Sequence, residues 1–278
     1  MISGPFLDRT WMGQNPDYET SKIVMLGLPF DGTVSYRPGS RFAPEQIRLA
    51  SWGLEEYSPI FDKELEDVNF HDVGDLEFPL GNTYKSLDLI EKNVEEIYRD
   101  GKKVFGIGGE HLVTLPEVKA VSKFYDDLAL IHFDAHTDLR EEYLGEEMSH
   151  SAVIRHISKF IKPSNIKQIG IRSGMKEEWE FMNKHNTLVH NFSDLDSIKD
   201  KKVFVTVDLD CLDPSVMPGT GTPESGGMTF NELAGWFYYL KDFDIVGADV
   251  VELAPDYDSS GVSTAVATKV IRELLMIM

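Results

Sequence analysis

The stretch Leu128-Ala-Leu-Ile-His-Phe-Asp134-Ala-His136-Thr-Asp138 decides how this chain is read. Its opening residues form a nearly unbroken apolar run of strand length. A half-solvated strand would alternate polar and apolar residues. An unbroken run marks a strand covered on both faces, as in a parallel sheet packed between helices. The run then gives way to Asp134, His136 and Asp138, three side chains able to bind a metal. Two other runs end alike. Val104-Phe-Gly-Ile-Gly-Gly-Glu leads to His111, and Val203-Phe-Val-Thr-Val leads to Asp208 and Asp210.

Strands are predicted over 22–30, 68–73, 103–108, 128–133, 166–171, 187–192, 203–209 and 245–251. Helices are predicted between them, over 44–52, 84–99, 114–124, 149–160, 176–185, 229–240 and 263–276. The clearest, 84–99, puts Leu87, Ile90, Val94 and Ile97 on one face, with Gly101 just past its end. This alternation predicts an α/β fold with a mostly parallel sheet. No linker, repeat or low-complexity segment interrupts it, so residues 1–278 are expected to form a single domain.

The composition narrows the function. With 27 Lys+Arg against 47 Asp+Glu, the formal charge is −20. No basic face is left for nucleic acid, whereas metal cations and cationic small molecules are attracted. Ordinary surface acidity accounts for the balance equally well. The single cysteine, Cys211, excludes an intramolecular disulfide framework and reads as a buried small hydrophobe. Pro5 and two early charges replace the apolar stretch of a secretory signal, and no run reaches membrane-spanning length. A cytoplasmic location without membrane contact is expected.

In open parallel sheets, ligands bind at the carboxyl ends of the strands, where these candidates lie. Side chains at i and i+2 of an extended strand share a side. Asp134 and His136 are therefore expected to face together, as are Asp208 and Asp210. Asp138 joins them if its loop curls back. Nitrogen and oxygen donors without thiolates disfavour structural zinc and suit Mn²⁺ or a similar ion. Six ligands overfill one ion. Shared between two ions about 3.5–4 Å apart and bridged by Asp134 and Asp208, they leave a place for an activated water. A lone Asp at a strand end is more often a cap; it is the coincidence of three such motifs that points to a site. His132, two residues before Asp134, reads either as a support to the ligands or as a satisfied core histidine.

These residues resemble the signatures of the ureohydrolases, the arginase/agmatinase family. The matching motifs are Gly108-Gly-Glu-His111, Asp134-Ala-His-Thr-Asp138, Asp208-Leu-Asp-Cys-Leu-Asp-Pro214 and Gly219-Thr-Gly-Thr-Pro223. Arg37-Pro-Gly-Ser-Arg-Phe-Ala-Pro44 and Val251-Glu-Leu-Ala-Pro255 match as well, so the resemblance spans nearly the whole chain. It implies an arginase-like three-layer α/β/α sandwich around a mostly parallel sheet of about eight strands. It also implies two Mn²⁺ per subunit. One ion falls to His111, Asp134, Asp138 and Asp208, the other to Asp134, His136, Asp208 and Asp210. By the same resemblance, metal-bound hydroxide attacks the guanidinium carbon, Glu252 holds the guanidinium group, and His150 shuttles a proton to the leaving amine. Many relatives carry His-Gly-x-Pro where this chain has His150-Ser-Ala-Val153.

Substrate choice lies outside the metal core. Arginine-specific relatives have an asparagine before the shuttle histidine and an acid where Met175 aligns; this chain has neither. The expected substrate is agmatine, a small cationic guanidino compound, as in bacterial agmatinases. The alternatives are guanidinobutyrase, formimidoylglutamase and arginase chemistry. A more distant one is a zinc deacetylase on a related fold, which would leave His111 and Asp138 idle; a non-catalytic relative would leave the whole ligand set idle. Glu141, Glu142, Glu146 and Glu147 read as either a steering mouth or a solvated charge run. A homo-oligomer, trimer or hexamer, is implied by resemblance alone.

Overall fold

A computed structural model describes residues 10–14 and 16–278. The apolar runs become eight strands: β1 (Ile23–Leu28), β2 (Phe70–Asp75), β3 (Lys103–Gly108), β4 (Leu128–Phe133), β5 (Ile166–Ile169), β6 (Leu188–Val189), β7 (Lys202–Asp208) and β8 (Asp244–Val251). They form one sheet in the order β2-β1-β3-β8-β7-β4-β5-β6, and every pairing is parallel. Seven α-helices complete it: α1 (Ala43–Ser51), α2 (Thr83–Arg99), α3 (Thr114–Ser122), α4 (Val153–Ile157), α5 (Lys176–His185), α6 (Phe230–Leu240) and α7 (Val262–Leu275).

Strand alternation explains the layering. In β4, Ala129, Ile131 and Phe133 enter one core, with Ile47 of α1, Phe237 of α6 and Val270 of α7. Leu128 and Leu130 enter the opposite core, with Ile90 of α2, Val118 of α3, Ile154 of α4 and Met182 of α5. The sheet is thus buried on both faces, giving the expected three-layer α/β/α sandwich. Each large side chain buried in these cores contributes about 1.5–3 kcal/mol.

Local signals set the element ends. Asn82 caps α2 by accepting from Lys85 N at 3.0 Å, and Thr229 with Glu232 forms a capping box on α6. Several expected elements are shorter, two of them markedly. The helix expected over 149–160 is a short 3-10 turn, His150–Ala152, followed by five residues of α4. Ser158 Oγ turns back to Arg155 O at 2.7 Å at its end. The strand expected over 187–192 keeps two residues at the sheet edge. No helix among the described residues is long and apolar enough to cross a membrane.

The chain leaves β3 on one side of β8 and β7 and returns as β4 on the other. Such a reversal opens a crevice at the carboxyl ends of the central strands. Close approach there requires Gly109: a Cβ on it would lie 1.9 Å from Phe30 O.

Candidate metal centre and its cavity

Four adjacent strands deliver the predicted residues to that crevice. His111 opens a 3-10 turn shortly after β3, Asp134 follows β4, Asp208 ends β7, and Glu252 follows β8. Asp138 closes on them because its backbone takes the left-handed conformation, with φ of 50°. His111 Nδ1 lies 3.1 Å from Asp134 Oδ2, 3.1 Å from Asp138 Oδ2 and 3.3 Å from Asp208 Oδ2. His136 Nδ1 lies 3.0 Å from Asp210 Oδ2 and 3.5 Å from Asp134 Oδ1. Two metal-competent groups result, His111–His132–Asp134–Asp138 and Asp134–His136–Asp210, with Asp134 in both. All six predicted ligands meet, but not by strand alternation. Asp134 and His136 lie beyond β4, and Asp210 sits in the 3-10 turn Leu209–Cys211.

Electrostatics tests whether a cation fits. Burial favours neutral carboxyls; Asp134 is nevertheless held well below its ordinary range by the imidazoles of His132, His111 and His136. Asp208 is pushed well above its ordinary range by burial and by Asp210 and Asp134, and Asp210 is raised as well. Burial opposes protonation of His136, yet its neighbours Asp134 and Asp210 raise it to about 12. Asp134, Asp138 and Asp208 likewise raise His111 against burial. The carboxylates thus favour positive charge on His111 and His136. His111 Nδ1 is buried with no hydrogen-bond partner and points among three carboxylate oxygens. Both observations fit metal ligation.

Glu252 is buried beside this cluster with φ of 67°. Its Oε1 accepts from His111 N at 2.8 Å, and burial followed by the charge of Glu110 pushes its carboxyl well above the usual range. His150 Nδ1 lies 3.9 Å from Glu252 Oε1, and its Nε2 meets Ser35 Oγ at 3.0 Å. Its backbone N donates to Thr33 Oγ1 at 3.1 Å, and Thr33 N donates in turn to Glu110 Oε2 at 2.9 Å. Burial pushes Glu110 up to about 8 despite the bonds from Thr33, and lowers His150. The loop bearing Ser35 is tied by Asp31, which accepts from Gly39 N at 2.9 Å and pairs with Arg41 at 2.6 Å.

Above lies a cavity of about 280 Å³, whose lining includes His136, Asp138, Asp208, His150, Ser35 and Glu178. Met175 lines it as well, on the wall where its alignment suggested. An acid nonetheless stands on that wall: Glu178 accepts from Leu139 N at 3.2 Å and from Met175 N. Its signal in the sequence was a capping position three residues into a helix. Arg140 also lines the cavity, its guanidinium 4.7 Å from the Tyr143 ring centroid. Glu141, Glu142, Glu146 and Glu147 are exposed and do not line this cavity.

Other contributors were weakly signalled in the sequence. His132 Nε2 contacts Asp134 Oδ2 at 2.7 Å while its Nδ1 meets Gln168 Nε2 at 3.2 Å, so it supports a candidate ligand as well as filling the core. The amide makes Nδ1 the acceptor and leaves Nε2 as donor to Asp134. Arg172 donates to the carbonyls of Gly170, Asp210 and Glu224 at 3.2, 2.7 and 2.7 Å, stitching the Asp210 turn to its neighbours. Cys211 is buried and free, as expected.

The arginase family model matches residues 21–277. The chain is 47% identical over 277 residues to the agmatinase of Bacillus subtilis (strain 168), covering 96% of each protein. The crystal structure of agmatine ureohydrolase of Thermoplasma volcanium aligns with a TM-score of 0.86 at 31% identity, covering 98% of this chain and 94% of that one. Proclavaminate amidino hydrolase from Streptomyces clavuligerus aligns with a TM-score of 0.87 at 29% identity, covering 96% of each chain.

Proposed function

This chain belongs to the arginase family, and from that premise we propose that it hydrolyses agmatine to putrescine and urea. The observation that carries this reading is the meeting of a metal-competent cluster with His150 at one cavity, with Glu252 Oε1 3.9 Å from His150 Nδ1.

His111, Asp134, Asp138 and Asp208 would hold one divalent cation, and Asp134, His136, Asp208 and Asp210 the other. Carboxylate-rich donors with some imidazole favour Mn²⁺, two per subunit. When bound, such a pair supplies a water acidified toward neutrality as nucleophile. Glu252 accepts parallel N–H bonds from the planar guanidinium group and turns its carbon toward the cluster. His150 donates a proton from Nδ1, the ring atom facing Glu252, to the departing amine. Ser35 and Thr33 fix the ring and backbone of His150 for that transfer.

The cavity wall supports agmatine. Glu178 suits the cationic far end of the substrate, and no lysine lines the cavity. Arg140 is the observation that favours a second reading, a carboxylate-bearing guanidine such as 4-guanidinobutyrate. The reading extends to a homo-oligomeric cytoplasmic enzyme of polyamine biosynthesis, with residues 1–278 as one catalytic domain. Urea release from agmatine, arginine and 4-guanidinobutyrate, measured side by side with Mn²⁺, tests it. Agmatine is expected to give the highest kcat/KM; a higher value for either competitor overturns the assignment.

A further inference from the structure

A line of polar residues crosses the sheet one step beneath the cluster. Gly106 of β3 pairs with Asp249 of β8, Asp249 with Thr206 of β7, Thr206 with His132 of β4, and His132 with Gln168 of β5. Asp249, Thr206, His132 and Gln168 are all fully buried. They share a face with Asp134 and Asp208, which lie two residues further along their chains. From Gln168 the line continues to Thr187 Oγ1, which donates to Gln168 Oε1 at 2.9 Å. Gln168 Nε2 also donates to Thr137 O at 2.9 Å, so that end is satisfied.

The other end is not. His111 directs Nδ1 at the carboxylates, which leaves Nε2 as donor to Thr206 Oγ1 at 3.1 Å. Thr206 reaches Thr114 Oγ1 at 3.3 Å, and Thr114 donates to Asp249 Oδ2 at 2.7 Å. Asp249 Oδ1 and both carboxyl oxygens of Glu117 lack a hydrogen-bond partner, and both residues are fully buried. Glu117 extends from α3 over Gly106, where an added Cβ would lie 2.6 Å from Glu117 Oε1 and 3.0 Å from Asp249 Cβ. The two carboxyl groups are therefore neighbours, within hydrogen-bonding reach of each other. The ionisable groups around them are Tyr98 of α2, whose hydroxyl donates to Val246 O, and His111. Among the described residues, no lysine or arginine forms an ion pair with either.

Two adjacent carboxylates in an apolar interior without a cation cannot both ionise. One proton pairs the two carboxyl groups: Glu117 carries it and donates to Asp249 Oδ1, while Asp249 stays charged and accepts from Thr114 at Oδ2. We propose that Glu117 and Asp249 share one proton and act as positioning residues, holding the His111 imidazole through Thr114 and Thr206 for metal binding. A carboxylate reaching a ligating imidazole through a hydroxyl fixes its tautomer and raises its basicity. The metal part of this proposal rests on His111 being a ligand; the shared proton does not.

Two measurements on the full chain test it separately. Infrared spectroscopy at neutral pH should show the carbonyl stretch of a buried carboxylic acid in the wild-type minus Glu117→Gln difference spectrum, where the other buried carboxyl groups cancel. A difference spectrum without that band overturns the shared proton. Calorimetric titration of chelator-treated protein with MnCl₂ tests the relay. Glu117→Gln keeps a donor to Asp249 and should bind as wild type, whereas Glu117→Ala should bind about 10–100-fold more weakly. Thr206→Val, which cuts the same relay at nearly constant volume, should reproduce that loss and serves if Glu117→Ala does not fold. Wild-type affinity in the folded truncations overturns the positioning role.

Discussion

Glu252→Gln separates binding of the guanidinium group from upkeep of the fold. The substitution preserves shape, and the amide oxygen can still accept from His111 N. What changes is the opposite side of the group, where an NH₂ donor meets the N–H donors of the guanidinium. At least one charge-assisted hydrogen bond is lost and a donor–donor contact replaces it, costing about 3 kcal/mol. That corresponds to a drop of about two orders of magnitude in kcat/KM for agmatine. Stability should move the other way. Glu252 is a buried carboxyl crowded by Glu110 and Asp210, so a neutral amide relieves repulsion in the metal-free protein. The assay is urea release with saturating Mn²⁺, paired with thermal unfolding in chelator. An unfolding midpoint that falls in step with activity would show that Glu252 is structural. A kcat/KM within a factor of about five of wild type would refute guanidinium binding by this residue.

Asp134→Asn should abolish metal-dependent urea release, because Asp134 belongs to both metal-competent groups, and should lower the unfolding midpoint of the chelated protein, because it removes the buried carboxylate that faces three imidazoles. Retained turnover would contradict a shared role. Glu117→Gln should also change the pH dependence of stability. Burial and then Asp249 raise the Glu117 carboxyl well above its unfolded value, so its contribution is present at low pH and lost as pH rises toward the folded value. The amide does not titrate. The midpoint of Glu117→Gln relative to wild type should therefore climb between about pH 5 and 8, by up to about 1.4 kcal/mol of stability per pH unit. A flat difference across calorimetric scans would mean that Glu117 titrates normally.

Much of this architecture was legible because unbroken apolar runs have few interpretations. Leu128–Phe133 and Lys103–Gly108 appear as strands at their predicted limits. The candidate ligands were legible because acids and histidines are conspicuous at the ends of such runs. Strand alternation correctly paired His132 with Asp134. It did not apply to Asp134 and His136, since the strand had already ended. Asp249 carried a signal as an acid inside the buried run Ile245–Val251. Thr206 and Gln168 carried almost none. Their significance lies in which strand is the neighbour and at what register, and a single sequence does not state either. Glu117 read as an ordinary helix acid because only the docking of α3 turns it inward.

The backbone at Asp138 and Glu252 has φ of 50° and 67°, a region where glycine is at ease and other residues are strained by about 1–3 kcal/mol each. These two positions consequently record what a population of variants has been selected for. Enriched for heat resistance alone, survivors should drift toward glycine at both, a quiet loss that melting curves would score as improvement. Enriched for turnover, they should keep the carboxylates and accumulate compensating changes elsewhere.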